Sequence, residues 1–151
     1  MNHKIEISAG GIVFKRLNNQ LLSINNCIWL ITRHSQHKGW GFPKGLIGDK
    51  DSSEKMHDAA LREVMEEGGV KAKIVNDKPI EVKYKYRFKE NLVDKTVCYF
   101  LMEYLSGDPK NHDWEMMDAK FVSADEVKRT LTFKSDQEAF EKALDLLKNS
   151  F

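Results

Sequence analysis

Glu63, Glu66 and Glu67 stand three and four residues apart in a stretch rich in helix formers. Ala59, Ala60, Leu61, Val64 and Met65 keep helix propensity high through its middle. At roughly 100° per residue the three carboxylates fall on one arc, and positions so spaced are surface neighbours. Like charges held this close repel unless a cation sits between them. Hard carboxylate oxygens suit Mg²⁺, with Mn²⁺ as a substitute, above all where a phosphate supplies the remaining ligands. Arg62 lies on a different stripe, Glu54–Asp58–Arg62–Glu66, where it can pair with acids on either side. Its expected task is to hold the cluster in place. An isolated E-x-x-E-E is usually a solvated helix face, so the flanking residues must decide.

Two further groups could meet a substrate. Arg33, His34, His37, Lys38 and Lys44 crowd the loop that feeds this helix. Arginine suits bidentate phosphate contact and lysine a point contact; Lys44, Arg33 and His37 are the candidates. The other group is the alternating run EVKYKYRFK, with Tyr84 and Tyr86 on one face and Lys83 and Lys85 on the other. Aromatic rings can stack on a nucleobase while neighbouring cations meet phosphates, although periodicity alone describes an ordinary half-buried strand.

These groups must be positioned by a small set of elements. Ser52 and Ser53 are candidate N-caps of the acidic helix, with Glu54 and Asp58 in its first turns, and Gly68-Gly69 is the stop. Ile5 to Lys15 is a strand in which Gly10-Gly11 implies a bulge or a close backbone approach. Asn18-Asn19 signals a turn. Further strands are expected over Cys27 to Thr32, Ala72 to Val75, Glu81 to Lys89, Val93 to Leu105 and Ala119 to Val122. Gly41-Phe42-Pro43-Lys44-Gly45 makes a fixed, non-helical approach to the acidic helix. Ser123 should cap a short helix with Glu126 at the capping-box position. A closing helix starts at Ser135 or Asp136 and recurs through Phe140, Ala143, Leu144 and Leu147.

Taken together, Gly48, Glu54, Arg62-Glu63, Val64, Glu66-Glu67 and Gly69-Val70 match the Nudix hydrolase box at every fixed position. The chain resembles a Nudix hydrolase over nearly all its length. The resemblance implies an α+β fold, a mixed β-sheet sandwiched between α-helices. It implies metal-assisted hydrolysis of a nucleoside diphosphate linked to another group. It places Glu54, Arg62, Glu63, Glu66 and Glu67 in the catalytic machinery, with Glu63 and Glu67 as metal ligands and Glu66 as a ligand or an aid to water activation. Relatives add an acid from outside the box, for which Glu115 is the candidate beside Asp113 and Asp118. They also add a backbone carbonyl, from Gly45 or Gly48; Gly45 is preferred, on the view that the loop from Gly48 to Ser53 is three residues longer than usual. The Pro-Lys-Gly approach, the Thr96 to Met102 strand and the Tyr84/Tyr86 strand resemble the diadenosine tetraphosphate hydrolase branch. That likeness implies base stacking by Tyr84 or Tyr86, phosphate contact by Lys83 or Lys85, and cleavage to ATP and AMP. Removal of pyrophosphate from an RNA 5′ end, hydrolysis of (oxidised) nucleoside triphosphates and an inactive binding module are the alternatives.

With 151 residues, 41% hydrophobic and 31% charged, a single soluble domain is expected. A net charge of +1 gives no basic field of the kind that nucleic-acid binders carry. Cys27 and Cys98 have no metal-ligand spacing and should be buried thiols of a cytoplasmic protein. No membrane span or signal segment is legible. A monomer that takes a nucleotide substrate is the expected state.

Overall fold

In the computed structural model, which describes residues 2–18, 22–48 and 51–149, eight strands form one mixed sheet. The strands are β1 (Asn2–Arg16), β2 (Cys27–His34), β3 (Trp40–Gly41), β4 (Lys44–Leu46), β5 (Val70–Ile74), β6 (Ile80–Phe88), β7 (Asn91–Gly107) and β8 (Met116–Ser123). The helices are α1 (Met56–Gly68), α2 (Ala124–Thr130) and α3 (Lys134–Asn149). β1 runs parallel to β7, from Asn2 opposite Asn91 to Phe14 opposite Glu103. All other pairings are antiparallel.

Both faces of the sheet are covered, and strand alternation assigns side chains to one or the other. Ile12, Phe14, Trp29, Ile31, Tyr99 and Leu101 point to the face where Val127, Phe140, Ala143 and Leu144 of α2 and α3 pack. Val13, Leu30, Phe100 and Met102 point the opposite way, onto Ala59, Ala60 and Val64 of α1. Burial on both faces explains why β2 and β7 read as continuous apolar runs rather than alternating ones. Both cysteines are buried and free, as expected.

Ser123 caps α2 by accepting from the Glu126 backbone N–H at 3.2 Å. The expected caps of α1 are not used. Lys55 occupies the N-cap position without a side-chain bond, and the helix begins at Met56. Ser53 instead donates both its N–H and its hydroxyl to Asp51, closing a local turn. Glu54 stands before the helix, not in its first turn, because Arg62 holds its carboxylate. A tertiary ion pair and a local side-chain turn have overridden the capping preference.

The Gly10-Gly11 pair is a close approach and not a bulge, since pairing with β7 runs unbroken through both residues. The Gly11 N–H donates to the Pro43 carbonyl at 3.1 Å. A Cβ on Gly10 would sit 2.1 Å from that same oxygen. The two glycines therefore let the Pro43-Lys44 backbone lie against β1. Asn19 of the expected Asn18-Asn19 turn and part of the Gly48 to Ser53 loop fall outside the described residues.

Candidate active site

The second half of α1, β4 and the loop before β8 bring the acidic residues together. Glu63 and Glu67 are buried, at 5% and 7% exposure, whereas Glu66 is half-buried. Arg62 is the clamp. Its Nε and Nη2 donate to the two Glu54 oxygens at 2.7 and 2.9 Å, and its Nη1 donates to Glu63 at 2.7 Å and Glu66 at 2.9 Å. These acids raise the guanidinium pKa above its usual value, the Glu54 hydrogen bonds most of all. Across β4, the Lys44 backbone N–H donates to Glu67 Oε1 at 3.1 Å. The Gly45 backbone abuts Glu63, for a Cβ there would lie 2.2 Å from the carboxylate. Gly48, the other candidate for the box glycine, takes a left-handed φ of 79° and donates its N–H to Glu54 at 3.2 Å. Gly45 is thus at the acid cluster, and Gly48 supports the Arg62–Glu54 pair behind it.

Burial dominates the electrostatics. It pushes the Glu67 carboxyl up to about 8; the Lys44 N–H pulls it down, and Glu63, Asp113 and Glu115 raise it further. Glu63 is likewise pushed to about 7 by burial, opposed by Arg62. A single guanidinium is shared among Glu54, Glu63 and Glu66 and none is bonded to Glu67, so the buried carboxyls are short of positive charge that a bound cation would supply. That donor set suits a hard divalent cation. Among the described residues, however, no three His, Cys, Asp or Glu side chains converge as a ready ligand set. Oxygens from a backbone carbonyl, water or a phosphate would have to complete the shell, which is the habit of Mg²⁺.

The loop before β8 is tied to this centre on both sides. The Asp113 N–H donates to the Glu66 carbonyl at 2.8 Å, and the Ser35 N–H donates to the Glu115 carbonyl at 2.9 Å. Glu115 itself is exposed and Asp113 half-buried; both charges are felt by Glu67. Asp118 is exposed, and its side chain accepts from the Ala119 N–H.

Glu67 and Gly45 open onto a cavity of about 530 Å³ that Lys44, Tyr84, Tyr86 and His37 also line. It continues into an adjoining space of about 650 Å³ bordered by Phe133 and Asp136. Lys44 Nζ donates to the Tyr84 hydroxyl at 3.3 Å. Tyr86 donates to Glu6 at 2.6 Å, and Lys95 donates to the same carboxylate at 3.4 Å. His37 stacks on His34 with centroids 4.5 Å apart and meets Phe133 edge-on at 5.7 Å. Burial, then His34 and Lys44, hold its pKa below the usual histidine value. The remaining cation candidates lie elsewhere. Arg33 spends its Nε on the Lys38 carbonyl at 2.9 Å and does not line the cavity. Lys83 and Lys85 lie on the other face of β6 from the tyrosines, with Lys85 3.7 Å from Asp94.

Lys95, Phe133 and Asp136 are among the lining residues that the sequence did not mark as site candidates. Lys95 sits in the strand run VDKTVCYFLM, where the position of one lysine in the pleat was the available signal. Asp136 looks like a helix-start acid, yet it is 4% exposed and accepts from the Tyr99 hydroxyl at 2.9 Å. Burial pushes its pKa up, while Lys44 and the Tyr99 hydroxyl pull it down.

A mixed sheet enclosed by helices, with a buried acid cluster opening onto an aromatic cavity, defines the class. The chain belongs to the NUDIX domain family, whose profile matches residues 9–143. It is 27% identical over 143 residues to MutT4 of Mycobacterium tuberculosis (strain CDC 1551 / Oshkosh), covering 94% of this chain and 56% of that protein. This chain thus spans just over half the length of that relative. Among solved structures, a C. elegans Ap4A hydrolase in a binary complex is similar, with a TM-score of 0.74 at 20% identity, covering 95% of this chain and 98% of that one. The NUDIX domain of Shewanella oneidensis NrtR complexed with ADP ribose has a TM-score of 0.66 at 18% identity, covering 94% and 88%. At these identities the likeness speaks for the fold, which agrees with the α+β expectation. No helix among the described residues is long and apolar enough to cross a membrane.

Proposed function

We propose that the protein is a pyrophosphohydrolase that uses a divalent cation, Mg²⁺ or Mn²⁺, to cleave a nucleoside diphosphate linked to another group. Diadenosine tetraphosphate, split to ATP and AMP, is the substrate we favour. One observation carries this reading: Glu67 of the acid cluster opens onto the same cavity as Lys44, Tyr84 and Tyr86. A phosphate chain lying at the acids would place an attached base among the rings. The name of the C. elegans neighbour supports the choice of a dinucleotide.

Glu63 and Glu67, with Glu66, the Gly45 carbonyl and Glu115 as further oxygens, would hold the cation, which supplies charge neutralisation on the diphosphate and a more acidic water. The rest falls to the protein's own groups. Arg62 keeps Glu63 and Glu66 oriented and is itself fixed by both oxygens of Glu54. Lys44, one of the cations that line the cavity, meets a phosphate oxygen, and Tyr84 and Tyr86 present rings for stacking. Such positioning is most of what phosphoryl transfer asks of a protein.

The test is to incubate the purified protein and Mg²⁺ with diadenosine tetraphosphate, with 5′-triphosphorylated RNA and with nucleoside triphosphates, and to resolve the products. ATP plus AMP from the dinucleotide, with the others slow, is the expected result. Pyrophosphate from RNA or from nucleoside triphosphates, with an inert dinucleotide, would overturn the substrate assignment and keep the chemistry. Inertness towards all three would overturn the reading as an enzyme of this class.

A further inference from the structure

We infer that Asp136 is a specificity-determining residue that accepts a hydrogen bond from the amino edge of a purine seated in the aromatic cavity. The inference rests on the proposal that the cavity takes a nucleobase. Asp136 is 4% exposed, and the burial of a carboxylate is costly unless it is paired. No lysine, arginine or histidine forms an ion pair with it among the described residues. Oδ1 accepts from the Tyr99 hydroxyl at 2.9 Å, whereas Oδ2 has no hydrogen-bond partner among the described residues. Nor does the carboxylate cap α3, since the Asp136 and Gln137 N–H groups donate to the Phe133 carbonyl. The lack of a side chain at Gly41 gives Oδ2 its place, for a Cβ there would come within 3.0 Å of it.

The surroundings say what Oδ2 awaits. Asp136 borders the cavity together with Phe133, His37, Tyr84 and Tyr86, four flat side chains. Phe133 meets His37 edge-on, and the tyrosine rings lie 6.2 Å apart along β6. Flat walls that include a carboxylate acceptor suit a planar heterocycle with an N–H donor on its edge, and Lys44, Lys95 and Lys134 on the same border suit the phosphates attached to it. A base with C–H at that edge would leave Oδ2 dehydrated and unpaired, and such a loss discriminates more sharply than a missing apolar contact. A ribose hydroxyl is the other source of the same donor.

Calorimetric binding of AMP, purine riboside 5′-monophosphate and the 2′- and 3′-deoxy forms of AMP to the full chain separates these sources. AMP should bind about 10- to 100-fold more tightly than the purine nucleotide, the range of one charge-assisted hydrogen bond. The deoxy forms should match AMP. In Asp136→Ala, with an unchanged near-ultraviolet dichroism spectrum, the AMP preference should fall to within about threefold of none. If Asp136→Ala does not fold, the isosteric Asp136→Asn should still cut the preference at least severalfold. A wild-type preference near one, a preference kept by the folded variant, or a loss confined to a deoxy nucleotide would each overturn the inference. Nucleotide binding needs no turnover, so an inert dinucleotide in the hydrolysis assay leaves this test standing. Conversely, active hydrolysis without base preference removes only the role of Asp136.

Discussion

Replacing Arg62 with alanine should unfasten the acidic centre, and the structure sets the scale. The guanidinium makes four short bonds, two to Glu54, one to Glu63 and one to Glu66. The Arg62, Glu54 and Glu63 side chains are 19%, 10% and 7% exposed, so solvent screens these pairs little. Glu66, at 34%, contributes less. Removing one partner from a buried pair costs about 3–5 kcal/mol, because the remaining charges stay buried without compensation. For a domain of this size, that corresponds to a fall in Tm of about 6–20 °C. Arg62→Lys should lie between, since a point charge cannot bridge three carboxylates. The measurement is calorimetric Tm with a chelator and then with excess Mg²⁺. The cation should restore more of the loss in Arg62→Ala than it adds to wild type, because it would supply the missing positive charge. A Tm within about 2 °C of wild type in the chelator would show that the clamp is ornamental.

Three other outcomes are expected. Glu67→Gln should reduce turnover by about 100-fold or more, the scale of losing one preorganised electrostatic group. Its Tm should be unchanged or higher, because glutamine still accepts from Lys44 and position 67 no longer carries a buried ionisable group; wild-type turnover would remove Glu67 from the ligand set. Gly10→Ala should destabilise the fold by about 1–3 kcal/mol, since its Cβ would meet the Pro43 carbonyl of a backbone that cannot yield cheaply. An unaltered denaturation midpoint would contradict that packing. Burial raises the Asp136 pKa above the usual aspartate value of about 3.9, so the stability linked to its proton is complete below that value. It is lost as pH rises through the raised folded-state value. Asp136→Asn should therefore gain stability relative to wild type above that window and not below it. Equal Tm differences at acid and neutral pH would refute the assignment.

The sequence made the box helix legible because carboxylates three and four apart and a closing glycine pair are local signals. The strands of the core were legible for the same reason, as apolar runs bounded by turns. What it could not convey was set by partners distant in the chain. Glu54 is drawn out of the helix by Arg62, and Ser53 turns to Asp51 rather than capping. The cavity wall draws on β1, β6, β7 and the start of α3, so the roles of Lys95 and Asp136 exist only after folding. Arg33 presented the opposite case: expected in a loop, it lies near the end of β2, where its Nε donates to the Lys38 carbonyl.

The parallel pairing of β1 with β7 has a kinetic consequence. Asn2 to Phe14 are registered against Asn91 to Glu103, residues that leave the ribosome much later. β4 in turn hangs on β1 through Ser8, Ala9 and Gly10. The strand that holds the Lys44 and Gly45 backbone is thus itself held in the sheet by a segment made much later. Long-range closures of this kind slow folding, since loop entropy must be surrendered before the contacts reward it. The cavity, whose walls include Lys95 and Asp136, can be completed only after those residues have been made.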